Sequence, residues 1–161
     1  MATRSTIALE FADGTVQQVY CHWDGYLDNN GKILQEHYSD PFKLRELIDL
    51  GDLSSLRSNI GEKRPFSTFE LDKNNTDYNE LLALYEKAEA EDWCNFYGRD
   101  RGEANCGAKR FKDYADYVAN HQYEEYEYIL RKDGNWYVSK HDGPYALLKD
   151  AIAQEAMKEA A

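Results

Sequence analysis

Two of the four Asp-Gly pairs in this 161-residue chain, Asp13-Gly14 and Asp133-Gly134, stand near its opposite ends, each between runs that suit a β-strand. Asp-Gly closes a tight hairpin because the central positions tolerate positive φ, and the resulting turn matches the twist of paired strands. Thr6–Phe11 places Ile7, Leu9 and Phe11 at every second position, the period of a half-buried strand, and Thr15–Trp23 follows the turn. Glu125–Arg131 and Asn135–Lys140 flank the second pair. Hairpins over 6–23 and 125–140 therefore bracket the chain, and the segment between must pack against them.

That segment reads mainly as helix. Lys32–Tyr38 suits a short helix, and Ser39-Asp40-Pro41 is a strong helix start, with a capping side chain before a first-turn proline. Leu44, Leu47 and Ile48 form an apolar stripe behind it, and Gly51 suits its C-terminal cap. Asp52–Leu56 adds a turn, and Phe66–Leu71 a short strand. A second helix is expected from Asp77 to about Ala90, then a buried strand over Trp93–Tyr97 and a glycine-bearing loop over Gly98–Gly107. Lys109–Asn120 reads as a helix showing Phe111, Tyr114, Tyr117 and Val118, and Pro144 opens the last one. Two hairpins, about four helices and no βαβ rhythm predict an α+β fold, a single compact domain over 1–161.

Charge narrows the function. With 30 acids against 19 bases the net charge is −11, which argues against direct nucleic-acid binding, since that draws on clustered Lys and Arg. Three cysteines without CxxC spacing point to a reducing cytoplasm rather than a disulfide framework. No signal peptide and no run approaching a membrane span is read, so a soluble, intracellular protein is expected.

Two segments concentrate chemistry. Tyr20-Cys21-His22-Trp23-Asp24-Gly25-Tyr26, followed by Gly31-Lys32 and His37-Tyr38, gathers stacking rings and imidazoles around a glycine turn. Strand geometry sends Cys21 and His22 to opposite faces, which separates a thiol from its base and favours recognition over reaction. His22 with Asp24 and His37 remains a third option as a small hydrolase, although no nucleophile sits in a recognisable elbow. A zinc site from Cys21, Cys94, Cys106 and a histidine lacks the close ligand pairs of structural zinc, so no metal or cofactor is expected. The second segment, Trp93 to Gly102, leads into five bases (Arg99, Arg101, Lys109, Arg110, Lys112) against two acids (Asp100, Glu103), a basic island in an acidic chain. Glycine-turned N–H groups and arginine forks suit phosphate or carboxylate; internal salt bridges would use the same residues. Glu86, Glu89, Glu91, Asp92, Asp113, Asp116, Glu124, Glu125 and Glu127 could instead form a row that imitates nucleic-acid phosphates.

Through Arg4-Ser5-Thr6-Ile7-Ala8, the Tyr20–Tyr26 run, Gly31-Lys32, His37-Tyr38 and Phe96–Gly102, the chain resembles a family of small phage and prophage proteins. The resemblance carries no catalytic residues. It implies an accessory protein acting in a bacterial host cytoplasm, where such proteins often block a host defence complex or sequester a nucleotide signal. The leading expectation is a non-enzymatic protein that captures a small nucleotide-like anion or meets a host defence protein. Trp23, Tyr26, His22, His37, Tyr38 and Tyr97 would form its recognition surface, Arg99 and Arg101 would hold phosphate, and a homodimer would complete the concave site. The alternative is an acidic mimic that inhibits a host DNA- or RNA-binding enzyme.

Overall fold

A computed structural model describes residues 2–160. The first Asp-Gly pair joins β1 (Ser5–Glu10) to β2 (Val16–Cys21), and the second joins β6 (Tyr126–Leu130) to β7 (Trp136–Lys140). Gly14 and Gly134 both take the positive φ that the turns require. The two hairpins fuse into one sheet because β1 also pairs in parallel with β6, Ile7 opposite Tyr128. Around them lie β3 (Leu53–Ser55), β4 (Asn95–Phe96), β5 (Lys109–Phe111) and β8 (Ala146–Leu147). The strand order is β4-β3-β2-β1-β6-β7-β8, and β5 shares with β3 the outer edge of β2. Among the described residues the fold is α+β as expected, an eight-stranded mixed sheet with six α-helices rather than about four, and the antiparallel pair β7–β8 adds to the two expected hairpins.

Both faces of the sheet are covered, which is why all six residues of β1 are buried. On the first face Ile7, Leu9, Val19, Cys21, Tyr128, Leu130, Trp136 and Val138 meet three helices: α1 (Lys32–His37), α2 (Pro41–Asp49) and α6 (Leu148–Ala160). Asp40 caps α2 by accepting from the Phe42 N–H at 2.9 Å, with Pro41 in its first turn, and Gly51 at φ +85° follows its end. On the second face Ala8, Val16, Ile129 and the Phe111 ring pack under Tyr117 of α5 (Tyr114–Asn120). The remaining helices, α3 (Tyr78–Ala90) and α4 (Tyr97–Arg101), lie towards the β3–β4 end.

Several elements differ from the sequence reading. Asp52–Leu56 contains β3 rather than a turn, and β2 and β3 pair in parallel through α1 and α2, a crossover that hydrophobic rhythm did not betray. Residues 66–71 carry a 3₁₀ turn (Thr68–Glu70) in place of a strand. The glycine loop begins as α4, because the buried Asp100 carboxylate bonds back to the Phe96 N–H at 2.7 Å and fixes a helical turn that Gly102 ends in the left-handed conformation. Lys109–Phe111 leaves the expected helix to extend the sheet, and Asp113 caps what remains through the Asp116 N–H. Pro144 precedes β8, and the last helix starts only at Leu148.

Candidate functional site

The Tyr20–Tyr26 run ends β2 and turns the chain under the start of β1. Cys21 points into the first-face core, where burial pushes its thiol up to about 12, far from a reactive thiolate. The buried Asn30 amide ties the turn together, donating to Ser5 Oγ at 3.1 Å, Cys21 Sγ at 3.5 Å and the Trp23 carbonyl at 3.4 Å. Gly25 fits because the N-terminal segment crosses it: a Cβ there would lie 2.7 Å from Ser5 Cβ and 2.9 Å from the Thr3 carbonyl oxygen. On the other face, His22 Nδ1 lies 2.8 Å from the Tyr20 hydroxyl, and its ring meets Trp23 edge-on at 4.7 Å. Trp23 and Tyr26 remain 44% and 41% exposed.

The two chemical segments meet through β3. The Trp23 and His22 N–H groups donate to the Ser54 and Leu53 carbonyls, and Asp52 joins the segments: its carboxylate accepts from the Tyr20 N–H, its carbonyl from the Tyr97 N–H. Tyr20, His22, Trp23 and Tyr97 thus sit along one end of the sheet. Tyr38 is elsewhere, fully buried, its hydroxyl donating to the Arg57 carbonyl at 2.7 Å. His37 ends α1 at the surface, beside Glu36 at 3.9 Å.

The arginines of α4 hold the chain to itself. Arg99 donates through Nε to Asp100 at 2.9 Å, through Nη1 to the Ile60 and Gly61 carbonyls, and through Nη2 to the Cys94 carbonyl at 3.0 Å. Arg101 stacks over Phe66 and pairs with Glu70 and Glu103. Nearby, Glu89 joins the buried Arg64 to Arg57, and despite burial these two guanidiniums hold its carboxyl below the usual range. These bonds tie the 57–64 segment to Glu89 and α4.

The other bases of the basic island have a different fate. Arg110 faces Gln17 across the β2–β5 ladder, so alternation puts Arg110 on the side of the sheet where α2 stands, while Phe111 turns into the opposite core and Lys112 follows just past the strand. Arg45 comes from α2 and lies over the Phe11 ring at 5.7 Å. Together Arg45, Arg110 and Lys112 line a groove of about 580 Å³, and none of the three has an ion-pair partner among the described residues. One acid, Asp13, shares this groove; its carboxylate accepts from the Thr15 hydroxyl at 2.7 Å and the Thr15 N–H at 3.0 Å, which lowers its pKa. Phe11 and Arg45 also wall an adjoining apolar cavity of about 280 Å³ with Leu9, Pro41, Leu130 and Phe42, the last 78% exposed. Arg45 and Phe42 were invisible as site residues in the sequence, because they join Arg110 from a separate helix.

A second constellation escaped the sequence reading. Tyr20, Thr6, Glu127 and Ser139 align across four strands of the second face. The buried Glu127 carboxylate meets His121 Nε2 and accepts from the Tyr145 hydroxyl at 3.2 Å, while His121 Nδ1–H donates to the Tyr117 carbonyl. Thr6 Oγ1 and Glu127 Oε1 are buried without hydrogen-bond partners among the described residues. Closed under α5 and Tyr145, this cluster ties α5 to the sheet.

The acids grouped in sequence do not form one row. Glu127 is buried, Glu89 and Asp92 pair with Arg57, and Asp113 and Asp116 bond the backbone around α5. Among the described residues no three His, Cys, Asp or Glu side chains converge as metal ligands, and no helix is long and apolar enough to cross a membrane. No protein-family model, curated protein or solved structure matches the chain.

Proposed function

We propose that this protein is a non-enzymatic binding protein that captures a small ligand carrying phosphate on an aromatic or apolar body, a nucleotide-like anion. One observation carries the reading. In a chain with 30 acids, three cations converge on a single groove without carboxylate partners, and that groove adjoins an apolar cavity across Phe11 and Arg45. Unpaired arginine forks suit phosphate, and an exposed phenylalanine beside an apolar cavity suits a ring. Arg45, Arg110 and Lys112 would hold the anion, and Phe11 and Phe42 the body. Arg99 supports binding less well, because its guanidinium is already bonded to Asp100 and three carbonyls. In the setting that the phage resemblance implies, such capture would withdraw a host nucleotide signal.

The test is calorimetry with inorganic phosphate, a mononucleotide, a cyclic dinucleotide and ADP-ribose. At least one nucleotide is expected to bind more tightly than phosphate alone. Arg110→Ala and Lys112→Ala should each weaken it about 10- to 100-fold, the worth of a charge-assisted hydrogen bond. No binding by any of the four, or unchanged affinity in the double variant, would refute the reading.

A further inference from the structure

Helix α3 stands apart from the sheet. Its side-chain ties to the body gather in its C-terminal half: Ala88 is its one buried residue, Arg64 lies over Tyr85 at 5.1 Å, and Glu89 receives Arg57 and Arg64. Among the described residues no strand or other helix packs extensively against α3. Yet those turns are amphipathic, with Tyr78, Leu81, Leu82 and Tyr85 recurring at the three- and four-residue spacing that places side chains on one face. All four are only half buried. Such a stripe in a surface helix ordinarily meets a core; here its Leu81, with Leu84 one turn away, lines an open groove.

The opposite wall is the segment before the helix. Phe66 and Leu71 face Leu81 and Leu84 across a cavity of about 360 Å³, and Phe69, on the 3₁₀ turn beside it, is 98% exposed. The space suits anchoring side chains rather than a whole helix. Its surroundings are acidic: from Glu70 to Gly98 the chain carries eight acids and two bases. Of these acids Asp72, Asp77, Glu80, Glu86 and Glu91 are exposed and have no ion-pair partner among the described residues. Of the groove's own lining, Lys63 and Arg64 are bases and Glu70 and Asp100 acids. Three of these four are paired within the chain, Arg64 with Glu89, Asp100 with Arg99 and Glu70 with Arg101, so the unpaired acids lie on the rim outside the lining.

We propose that this groove docks a basic amphipathic helix of another protein. Apolar anchors spaced along one face of that helix would enter between Leu81, Leu84 and Phe66, and Lys or Arg on its flanks would meet the acidic rim. Charge selects this occupant over a second copy of the chain, since a two-fold contact through α3 would set one acidic rim against another. The site is separate from the cationic groove, shares no residue with it and does not depend on what that groove binds.

The probe is a leucine/lysine amphipathic peptide of about five helical turns, with a leucine/glutamate peptide of the same pattern as control. Fluorescence anisotropy with the intact protein should show micromolar binding of the basic peptide, weakened by salt, and none of the acidic one. The Leu81→Ser/Leu84→Ser double variant should lose about tenfold or more in affinity, with a circular dichroism melt as the folding control. Phe69→Ser provides an independent check, because that ring is exposed and its loss cannot unfold the protein; it too should weaken the peptide. Unchanged affinity in both variants would overturn the proposal, as would equal binding of the acidic peptide. Sedimentation showing a self-associated species that Leu84→Ser dissolves would also overturn it, by assigning the face to a second copy.

Discussion

Arginines of one basic island serve opposite purposes, and burial decides which. Arg99 is nearly enclosed, and its guanidinium joins Asp100 to carbonyls from Ile60, Gly61 and Cys94. Removing it would leave those acceptors and the buried carboxylate short of a partner, a loss greater than any surface contact. Arg110 is exposed on β5 and has no carboxylate partner among the described residues. Urea denaturation should therefore show Arg99→Ala destabilised by about 3 kcal/mol. Arg110→Ala should fall within about 0.5 kcal/mol of the wild type. In calorimetry the order should reverse, with Arg110→Ala losing the anion and Arg99→Ala, where it remains folded, retaining it. Comparable destabilisation of the two variants would contradict the division. The same contrast explains why the sequence could not rank these residues: Arg99, Arg101 and Arg110 look alike until the carbonyls around each are known.

At the scale of elements, α5 is held onto the sheet by a buried ionic contact as well as by rings. His121 Nδ1–H donates to the Tyr117 carbonyl, and Nε2 faces the Glu127 carboxylate in an ion-pair contact. Burial opposes the charged ring, but Glu127 and the backbone carbonyls outweigh it and raise the imidazole's pKa. The sign follows from linkage: a folded pKa above the unfolded value of about 6.5 gives stability that is complete below that pH and is lost as pH rises through the folded value. Melting temperature should thus decline from pH 6 towards mildly alkaline conditions, and the gap between wild type and Glu127→Gln should narrow over the same range. A constant gap would mean that the contact carries no ionic stabilisation. Elements also mark how far sequence could go. The Asp-Gly turns, Asp40-Pro41 and the Gly51 cap are local chemistry, and the hairpins and α2 appeared where those residues put them. Lys109–Phe111 carries no such signal; it becomes a strand because the edge of β2 at Val16–Gln18 needs partners, a requirement distant in sequence. The Arg45–Arg110–Lys112 groove inherits that distance, and so does the Thr6–Glu127 row.

For the molecule as a whole, cooperativity should be uneven. β1 lies inside the sheet between β2 and β6, with a hydrophobic cluster on each face. The first two turns of α3 and the segment before them stand outside both clusters, held chiefly where Glu89 and Ala88 meet Arg57, Arg64 and Trp93. Amide exchange reports such differences as separate opening free energies, from nearly zero at loosely held elements to the global value in the core. Exchange monitored by mass spectrometry should find β1 and β6 slowest, the Glu89 end of α3 intermediate and Leu81–Leu84 fast. Adding the basic amphipathic peptide should slow Leu81–Leu84 selectively, whereas a nucleotide should protect the α2 and β5 borders of the cationic groove and leave α3 unchanged. If the amides of Leu81–Leu84 instead exchange only with β1, the helix belongs to the cooperative core, and its apolar face would no longer stand open for a partner.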